Sequence, residues 1–285
     1  MGERYGSFSL PDDRAISYDL TPTDQDTPVI LLSNSLCGQF RSWDKVVAAL
    51  SVRGFRVLRY DQPRHGASGV PKDLASTTFD SLADDAYALL QHLDLKTVAA
   101  WVGVSMGAST GITFAAKYPG IISQLVVCDT ISCALTLAGA VDPFPPRVKA
   151  MRTAGNLDEL VEGTMQRWFG KDWISAHPGE AARMRGIMLT GTTMDGFETC
   201  CAALSSPSYD LRKQVEAAGR GCRKALLLVG ENDANLPTTM QELRRGLERG
   251  NGKSVELRVV ANAGHVLFVD GFEDFMQLLL TFLQG

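Results

Sequence analysis

The stretch Gly103-Val104-Ser105-Met106-Gly107 lies between an apolar run and a run with helical character. Residues 97–102 (TVAAWV) predict a short buried strand, and residues 108–118 predict a helix that ends before Pro119, because proline cannot continue a helix. A serine on so tight a strand-to-helix turn needs small residues two positions away on either side, since larger side chains would collide with the backbone. The pattern therefore predicts a nucleophile elbow, in which the Ser105 hydroxyl stands clear of the sheet at the start of a helix.

Length, composition and charge are those of an ordinary globular protein. The chain has 285 residues, of which 45% are hydrophobic and 21% are charged, so it is long enough to bury a substantial core. The formal net charge is -4 and no long run of like charges occurs, so neither nucleic acid nor a membrane is an expected partner. Residues 1–4 lead into polar sequence, with no apolar segment typical of a signal peptide or a membrane span, and we expect a cytoplasmic protein.

The six cysteines are scattered along the chain and form no C-x-x-C pair. No histidine lies beside them in the spacing of a zinc site, so we expect neither a disulfide framework nor a bound metal. Reduced, buried thiols are the better interpretation, and the adjacent pair near position 200 is expected to pack within a helix. The six residues are Cys37, Cys128, Cys133, Cys200, Cys201 and Cys222.

Strand-like and helix-like segments alternate along most of the chain, which favours an α/β fold with a mostly parallel sheet. An opening hairpin is predicted where residues 7–10 and 16–20 flank a turn that contains Pro11. The other predicted strands are 29–32, 56–60, 97–102, 124–128, 225–229 and 255–260, and the predicted helices are 42–52, 81–93, 108–118, 238–249 and 272–283.

The texture of the sequence changes between residues 132 and 220. Helix formers and aromatic side chains are frequent in this segment and no strand pattern is found in it, whereas strands resume after it. We interpret the segment as a helical cap above the carboxyl ends of the strands, where open α/β sheets bind ligands. Residues 1–131 and 221–285 are then the core domain, and residues 132–220 are the cap insertion.

A serine hydroxyl becomes a useful nucleophile only when a base takes its proton and a third group orients that base. Among the four histidines, His92 lies in a helix-like stretch and His177 in the cap segment, which favours surface or packing roles. His65 follows a strand in a glycine-containing loop, and its role stays open. His265 directly follows the last predicted strand and precedes the last helix, so it is the predicted base for Ser105.

The orienting acid is sought in the loops that follow the strands. Asp233 lies in the loop after the predicted strand 225–229 and is our choice, while Glu231 in the same loop is expected to be solvated. Asp129, at the end of the preceding strand, is the alternative acid. With Asp233 the chain order is serine, acid, histidine, which differs from the orders of the chymotrypsin-like and subtilisin-like proteases.

Acyl transfer also requires donors that point at the developing oxyanion. The backbone N–H of Met106, directly after the nucleophile, is one predicted donor. The second is expected from the loop at residues 33–38, which follows the strand 29–32. Asn34 and Ser35 are predicted to shape this loop and to belong to the substrate pocket, and the competing interpretation is that they are polar turn residues with no part in catalysis.

Several short motifs besides the elbow carry a resemblance to a known family. They are Ser33-Asn34-Ser35-Leu36 followed by Ser42-Trp43-Asp44, Arg59-Tyr60-Asp61 with His65-Gly66-Ala67-Ser68, Arg167-Trp168-Phe169, and Cys200-Cys201-Ala202-Ala203-Leu204. Together with Ser105-Met106-Gly107 they resemble the α/β-hydrolase superfamily over the whole chain, and within it the 3-oxoadipate enol-lactonase-like group.

The resemblance implies an α/β-hydrolase fold, with a mostly parallel eight-stranded sheet flanked by helices and a helical cap. It implies a cofactor-free serine hydrolase that opens an ester or lactone of a small molecule through an acyl-enzyme. Alignment with the family on the strand before the loop places the Leu36 N–H as the second oxyanion donor. This chain departs from the family at Pro63-Arg64, at Ala108-Ser109 and at Val269-Asp270-Gly271-Phe272, all of which are expected around the pocket.

Substrate recognition is predicted from the cap aromatics and from nearby cations. Trp168 and Phe169, together with Leu36 and Met106, are predicted to line an apolar pocket that suits an acyl or ring-bearing small molecule. A lactone that carries a carboxylate also needs a cation, and the two candidates, which are otherwise solvated surface charges, are Arg64 and Arg167.

Other functions compatible with these residues stay open. A serine at position 105 argues against an epoxide hydrolase or a haloalkane dehalogenase, which use an aspartate at the elbow. A C–C bond hydrolase or a cofactor-free perhydrolase would use the same three residues, and a non-enzymatic small-molecule sensor is a further alternative. A homodimer is one option for the assembly.

Overall fold

The computed structural model describes residues 5–22 and 27–285. Within these residues, eight strands form a single sheet in the order β1-β2-β4-β3-β5-β6-β7-β8. The hairpin β1–β2 is antiparallel and β2 pairs antiparallel with β4, whereas β3 to β8 are mutually parallel. The strands are Tyr5–Ser9 (β1), Ala15–Leu20 (β2), Val29–Ser33 (β3), Arg56–Tyr60 (β4), Val98–Val104 (β5), Ile122–Cys128 (β6), Lys224–Gly230 (β7) and Glu256–Val260 (β8).

Helices connect the parallel strands and cover the sheet, so the predicted α/β class with a mostly parallel sheet is confirmed. The helices of the described residues are Asp44–Ser51 (α1), Phe79–His92 (α2), Met106–Lys117 (α3), Phe144–Ala154 (α4), Asp158–Ala176 (α5), Pro178–Gly191 (α6), Met194–Ser205 (α7), Val215–Gly221 (α8), Leu236–Asn251 (α9), Leu267–Asp270 (α10) and Phe272–Gln284 (α11).

The central strands are apolar along their whole length because both faces of the sheet are covered. All residues of β3 and nearly all of β5 and β7 are buried, as expected for parallel strands between two helical layers. Helix α3 is buried over most of its surface, since it packs between the sheet and the helices α2 and α8. The carboxyl ends of these parallel strands meet at one edge of the sheet, and ligands of open α/β sheets bind outside that edge.

Strand β5 extends two residues beyond its predicted end. The predicted strand ends at residue 102, but Gly103 and Val104 still pair with β6, opposite Val127 and Cys128. The strand therefore continues to the residue before Ser105, and the turn into α3 follows without an intervening loop.

Between β6 and β7 the described chain contains helices and no strand of the sheet. Helices α4 to α7 belong to the segment that was predicted as a cap, and a bridge between His65 and Thr192 connects it to the loop after β4. Helix α8 instead packs against α3 and α9, and the predicted boundary at residue 220 lies inside it. The division into core and cap stays a prediction.

None of the helices in residues 5–22 and 27–285 combines the length and apolar composition that a membrane span requires.

Candidate active site

Ser105 adopts a backbone conformation that non-glycine residues rarely adopt. Its φ is 53° and its ψ is -115°, a strained combination that costs on the order of 1–3 kcal/mol and persists only where the surroundings enforce it. A Cβ atom on Gly103 would lie 2.3 Å from the Gly107 carbonyl oxygen, and one on Gly107 would lie 2.3 Å from the Ser33 carbonyl oxygen. Both glycines of the predicted elbow are therefore required by close backbone contacts, and the strained turn is present.

Two backbone donors next to Ser105 are free of intramolecular acceptors. Met106 is the first residue of α3, and the first N–H groups of a helix have no partner within it. Leu36 lies in the turn that follows β3, and its N–H donates to no acceptor within the described part of the chain. Neither N–H group is engaged within the described residues, and their role as oxyanion donors stays a prediction.

Buried side chains hold the loop at residues 33–38 from behind. The Asn34 side-chain amide donates to the Tyr60 carbonyl at 3.0 Å, and the Gln62 amide donates to the Asn34 carbonyl at 2.7 Å. Asn34 is almost completely buried and does not line the cavity that Ser105 lines, so it acts on the shape of the loop and not on a ligand. Ser35, by contrast, lines that cavity.

His65, whose role the sequence left open, is a further support of this loop. It is completely buried, and its Nε2 accepts a hydrogen bond from the Cys37 N–H at 3.1 Å. Nδ1 lies 3.0 Å from the Pro63 carbonyl and must be the protonated nitrogen, since a carbonyl only accepts. Burial lowers the pKa of His65 to about 4, so the ring stays neutral and keeps Nε2 as an acceptor at neutral pH.

The predicted base and acid are in direct contact. Nδ1 of His265 lies 2.6 Å from Oδ2 of Asp233, and both side chains are largely buried, with 17% and 11% of their surface exposed. Ser105, Asp233 and His265 line the same cavity, which has a volume of about 280 Å³. The structure thus brings the three residues together at the carboxyl edge of the sheet.

The helix that carries Trp168 contacts the histidine loop through its backbone. Helix α5 is interrupted at Gly170, where φ is 73° and ψ is 157°, and the Trp168 carbonyl accepts a hydrogen bond from the His265 N–H at 3.0 Å. A Cβ atom on Gly264 would lie 1.9 Å from the Trp168 carbonyl oxygen, so only glycine allows this approach. The Gly264 N–H donates to Oδ2 of Asp270 at 2.6 Å, which secures the loop from the opposite side.

The cavity wall is mostly apolar. Of the residues predicted to line it, Leu36, Trp168 and Arg167 do so, together with Ser35. Phe169 does not line it and stacks on Trp173 at a ring distance of 4.6 Å. Met106 does not line it either, and its side chain is completely buried. Further lining residues that the sequence reasoning missed are Thr130, Ile131, Leu135, Pro143, Phe144, Leu204, Tyr209, Ala234, Asn235 and Leu236.

Only one of the two predicted cations reaches the cavity. Arg64 is exposed and lies outside the cavity wall, whereas Arg167 is joined there by Arg147 of helix α4. Within the described residues, neither Arg147 nor Arg167 forms an ion pair with a carboxylate. Enclosure by the protein lowers the pKa of Arg167, and the neighbouring Arg147 cation adds to this effect. Nothing in the sequence around Arg147 distinguishes it from a surface arginine.

The remaining cysteines and histidines have packing roles. All six cysteines are free and buried, as predicted. His92 stacks on Phe8 at a ring distance of 4.6 Å, and His177 stacks on Trp173 at 4.8 Å. Across the ranges that the structure describes, no cluster of three or more histidine, cysteine or acidic side chains has the arrangement of a metal site.

The strained elbow, the paired histidine and acid, and the strand order agree with one established family. The family model for the alpha/beta hydrolase fold matches residues 28–184 of this chain. The chain belongs to the α/β hydrolase fold family. Membership explains why the hydrolase elbow, the acid loop and the histidine loop all follow parallel strands, since each then ends at the same edge of the sheet.

Several members of the hydrolase family are similar to this chain over most of its length. The 3-oxoadipate enol-lactonase 2 of Acinetobacter baylyi is 29% identical over 72% of this chain and 72% of that protein. The 3-oxoadipate enol-lactonase 1 of the same organism is 27% identical over 92% of this chain and 90% of that protein. The crystal structure of the enol-lactonase from Burkholderia xenovorans matches with a TM-score of 0.84 and 27% identity, over 98% of this chain and 100% of that one. These similarities support hydrolase activity and an enol-lactonase-like group within the family.

The kink of helix α5 provides a test of how this hydrolase holds its histidine. We expect Gly170→Ala to lower kcat for an aryl ester by about tenfold to a hundredfold, because alanine disfavours a positive φ and a displaced Trp168 carbonyl would misplace His265. Gly163→Ala in the same helix is the matched control, since its Cβ would meet nothing within 4 Å and alanine favours a helix. Equal activity of the two variants would show that the kink does not position His265.

The neutral state of His65 predicts a pH dependence of stability. Its folded pKa of about 4 lies below the ordinary value of 6.5, so the unfolded chain binds the extra proton first as the pH falls. The contribution of His65 is therefore complete above pH 6.5 and is lost as the pH falls through about 4. The free energy of unfolding can be measured with urea at several pH values for the wild type and for His65→Gln, whose side chain stays neutral. Over this pH interval the free energy should fall more steeply for the wild type, by up to about 3 kcal/mol in total. Parallel curves would contradict a neutral buried His65.

Proposed function

We propose that the protein is a serine hydrolase that cleaves a carboxylic ester or lactone of a small molecule through an acyl-enzyme. The observation that carries the proposal is the 2.6 Å contact between His265 and Asp233 in the wall of a cavity that Ser105 also lines. A strained serine, a histidine held by an acid and free backbone donors at one cavity are the parts that acyl transfer requires.

The first half of the proposed reaction forms the acyl-enzyme. The Nδ1–H of His265 donates to Asp233, which leaves Nε2 unprotonated and able to take the proton of the Ser105 hydroxyl. The serine oxygen attacks the carbonyl carbon, and the N–H groups of Leu36 and Met106 donate to the resulting oxyanion. When the tetrahedral intermediate collapses, the C–O bond of the ester or lactone breaks and His265 returns the proton to the leaving oxygen.

The second half of the reaction regenerates the enzyme. His265 takes a proton from a water molecule, and the hydroxide attacks the acyl carbon of the Ser105 ester. The same two backbone donors stabilise the second oxyanion, and the proton returns to the serine oxygen as the acid leaves. Because the two oxyanions form at the same place, one pair of donors serves both steps.

The proposed substrate is a small molecule that carries a negative charge. The cavity volume of about 280 Å³ is at the lower end of the range for small-molecule pockets, and most of its wall is apolar. Arg147 and Arg167 are the cations of this wall, and a guanidinium without a carboxylate partner is suited to binding a carboxylate of the ligand. A lactone or ester that carries a carboxylate meets these requirements, in line with the enol-lactonases that the chain resembles.

A fluorophosphonate probe tests the proposed nucleophile. We expect the wild type to be labelled at Ser105, because phosphonylation requires an activated serine, and we expect Ser105→Ala to lose both labelling and at least about a thousandfold in esterase activity. Ser132→Ala, whose hydroxyl contacts Glu242 outside the cavity, is the control. A panel of lactones, aryl esters and β-diketones, assayed with and without hydrogen peroxide, distinguishes hydrolysis of C–O bonds from C–C cleavage and perhydrolysis. Unchanged esterase activity of Ser105→Ala would contradict the proposal.

The arginine pair is tested with a lactone that carries a carboxylate and with its neutral methyl ester. We expect Arg147→Gln and Arg167→Gln each to lower kcat/KM for the anionic lactone by about tenfold to a hundredfold, mainly through KM, since hydrogen bonds to a charged group are lost. Hydrolysis of the methyl ester should change little. Arg64→Gln is the matched control, because Arg64 is exposed outside the cavity. If both substrates respond alike, the pair does not recognise the carboxylate.

A further inference from the structure

Asp129 is a buried acid next to Asp233, and it borders the same cavity as Ser105 and His265. It is the first residue after β6, its φ is 43°, and none of its surface is exposed to solvent. Its backbone N–H donates to the Leu228 carbonyl at 3.2 Å, and its Oδ1 accepts a hydrogen bond from the Gly230 N–H at 2.8 Å. Asp129 is therefore fixed against the end of β7, from which the loop with Asp233 emerges.

The second oxygen of this carboxyl group has no donor. Oδ2 of Asp129 is buried and finds no hydrogen-bond donor in the described residues. The group beside it is the Asp233 carboxyl, which lies within hydrogen-bond reach. An ionised carboxylate can only accept hydrogen bonds, so two ionised groups in this position would repel each other and leave a buried charge without a partner. A proton between the two carboxyl groups removes both costs.

The surroundings determine which of the two acids carries that proton. Asp233 has partners that suit a carboxylate, since Nδ1 of His265 lies 2.6 Å from it and the charge of Arg167 acts on it. The charges that act on Asp129 include those of Asp233 and Asp270, and both raise its pKa. Burial, and next to it the Asp233 charge, raise the pKa of Asp129 well above its ordinary value, and burial also raises the pKa of Asp270 to about 6.

We propose that Asp129 is a protonated positioning residue, whose Oδ2–H donates a hydrogen bond to Asp233 and thereby holds the acid that orients His265. The inference rests on the proposed hydrolase function and deepens it. Asp129 does not replace Asp233 as the acid, because the hydrogen bond of His265 goes to Asp233. Its neutral carboxyl adds no second negative charge near the His265 ring. Such a charge would keep the ring protonated to higher pH, and a protonated ring cannot act as a base.

Two variants of Asp129 distinguish this role from a structural one. Asp129→Asn retains a neutral donor toward Asp233 and an acceptor for the Gly230 N–H, whereas Asp129→Ala has neither. We expect kcat/KM of the asparagine variant to stay within about threefold of the wild-type value. The midpoint of the acid-side fall in its pH-rate profile should also be unchanged, because no charge is removed. The alanine variant should lose about tenfold or more in kcat, since Asp233 is no longer held. Thermal unfolding of both variants shows whether they are folded.

Two readouts do not depend on substrate. One is the NMR titration of the His265 ring in the resting enzyme, and the other is the infrared carbonyl band of a protonated carboxyl group, which asparagine should abolish. The proposal predicts an unchanged His265 titration in Asp129→Asn and loss of the infrared band. If the His265 titration of Asp129→Asn moves to lower pH by about one unit, Asp129 is ionised in the wild type and the proposal is wrong. Absence of the infrared band in the wild type, or equal kinetics of the asparagine and alanine variants, would also overturn the proposal.

These outcomes separate the inference from the proposed function. If the wild type shows neither esterase activity nor fluorophosphonate labelling, the hydrolase proposal fails, while the titration and the infrared band still report on the proton of Asp129. If Asp129→Ala does not fold, the asparagine variant and the infrared band decide the question alone.

Discussion

The close approach of two backbone segments at the elbow is the constraint on which the site depends. Gly107 leaves no room for a Cβ atom against the Ser33 carbonyl, so the start of α3 lies directly beside the end of β3. The same contact places the first turn of α3, which begins at Met106, against the start of the loop that contains Leu36. The strain of the serine backbone is maintained because strand β5 and helix α3 are buried on both sides of it. A residue larger than glycine at this contact would therefore displace the turn at Ser105 and the loop that follows β3 together.

The histidine side of the site depends on a second close approach, between the histidine loop and helix α5. The interruption at Gly170 leaves the Trp168 carbonyl free to accept a hydrogen bond, and the His265 N–H donates to it. A continuous helix would engage that carbonyl in its own hydrogen bonds. The position of His265 is thus set jointly by the sheet, through Asp233, and by the helices between β6 and β7, and a change in those helices reaches the chemistry through the backbone.

Charge is distributed unevenly around the cavity. The cavity wall carries Arg147 and Arg167, without carboxylate partners in the described chain, and also the acids Asp129 and Asp233, and the charge of the buried Asp270 acts on Asp129. The two cations suit an anionic ligand, and the protonation of the acid next to Asp233 determines how much negative charge lies close to His265.

The local sequence pattern determined the fold class and singled out three polar residues that the structure brings to one cavity. Alternation of apolar strands and helices predicts the parallel sheet, and the elbow with its acid and histidine loops predicts Ser105, Asp233 and His265 at one edge, because parallel strands end together. Only the tertiary structure decided which neighbours reach the cavity. Phe169 follows Trp168 directly, yet it turns onto Trp173, since adjacent residues of a helix point in different directions. Arg147 and not Arg64 joins Arg167, because the packing of helices far apart in sequence selects the side chains that meet, and no local pattern records that packing.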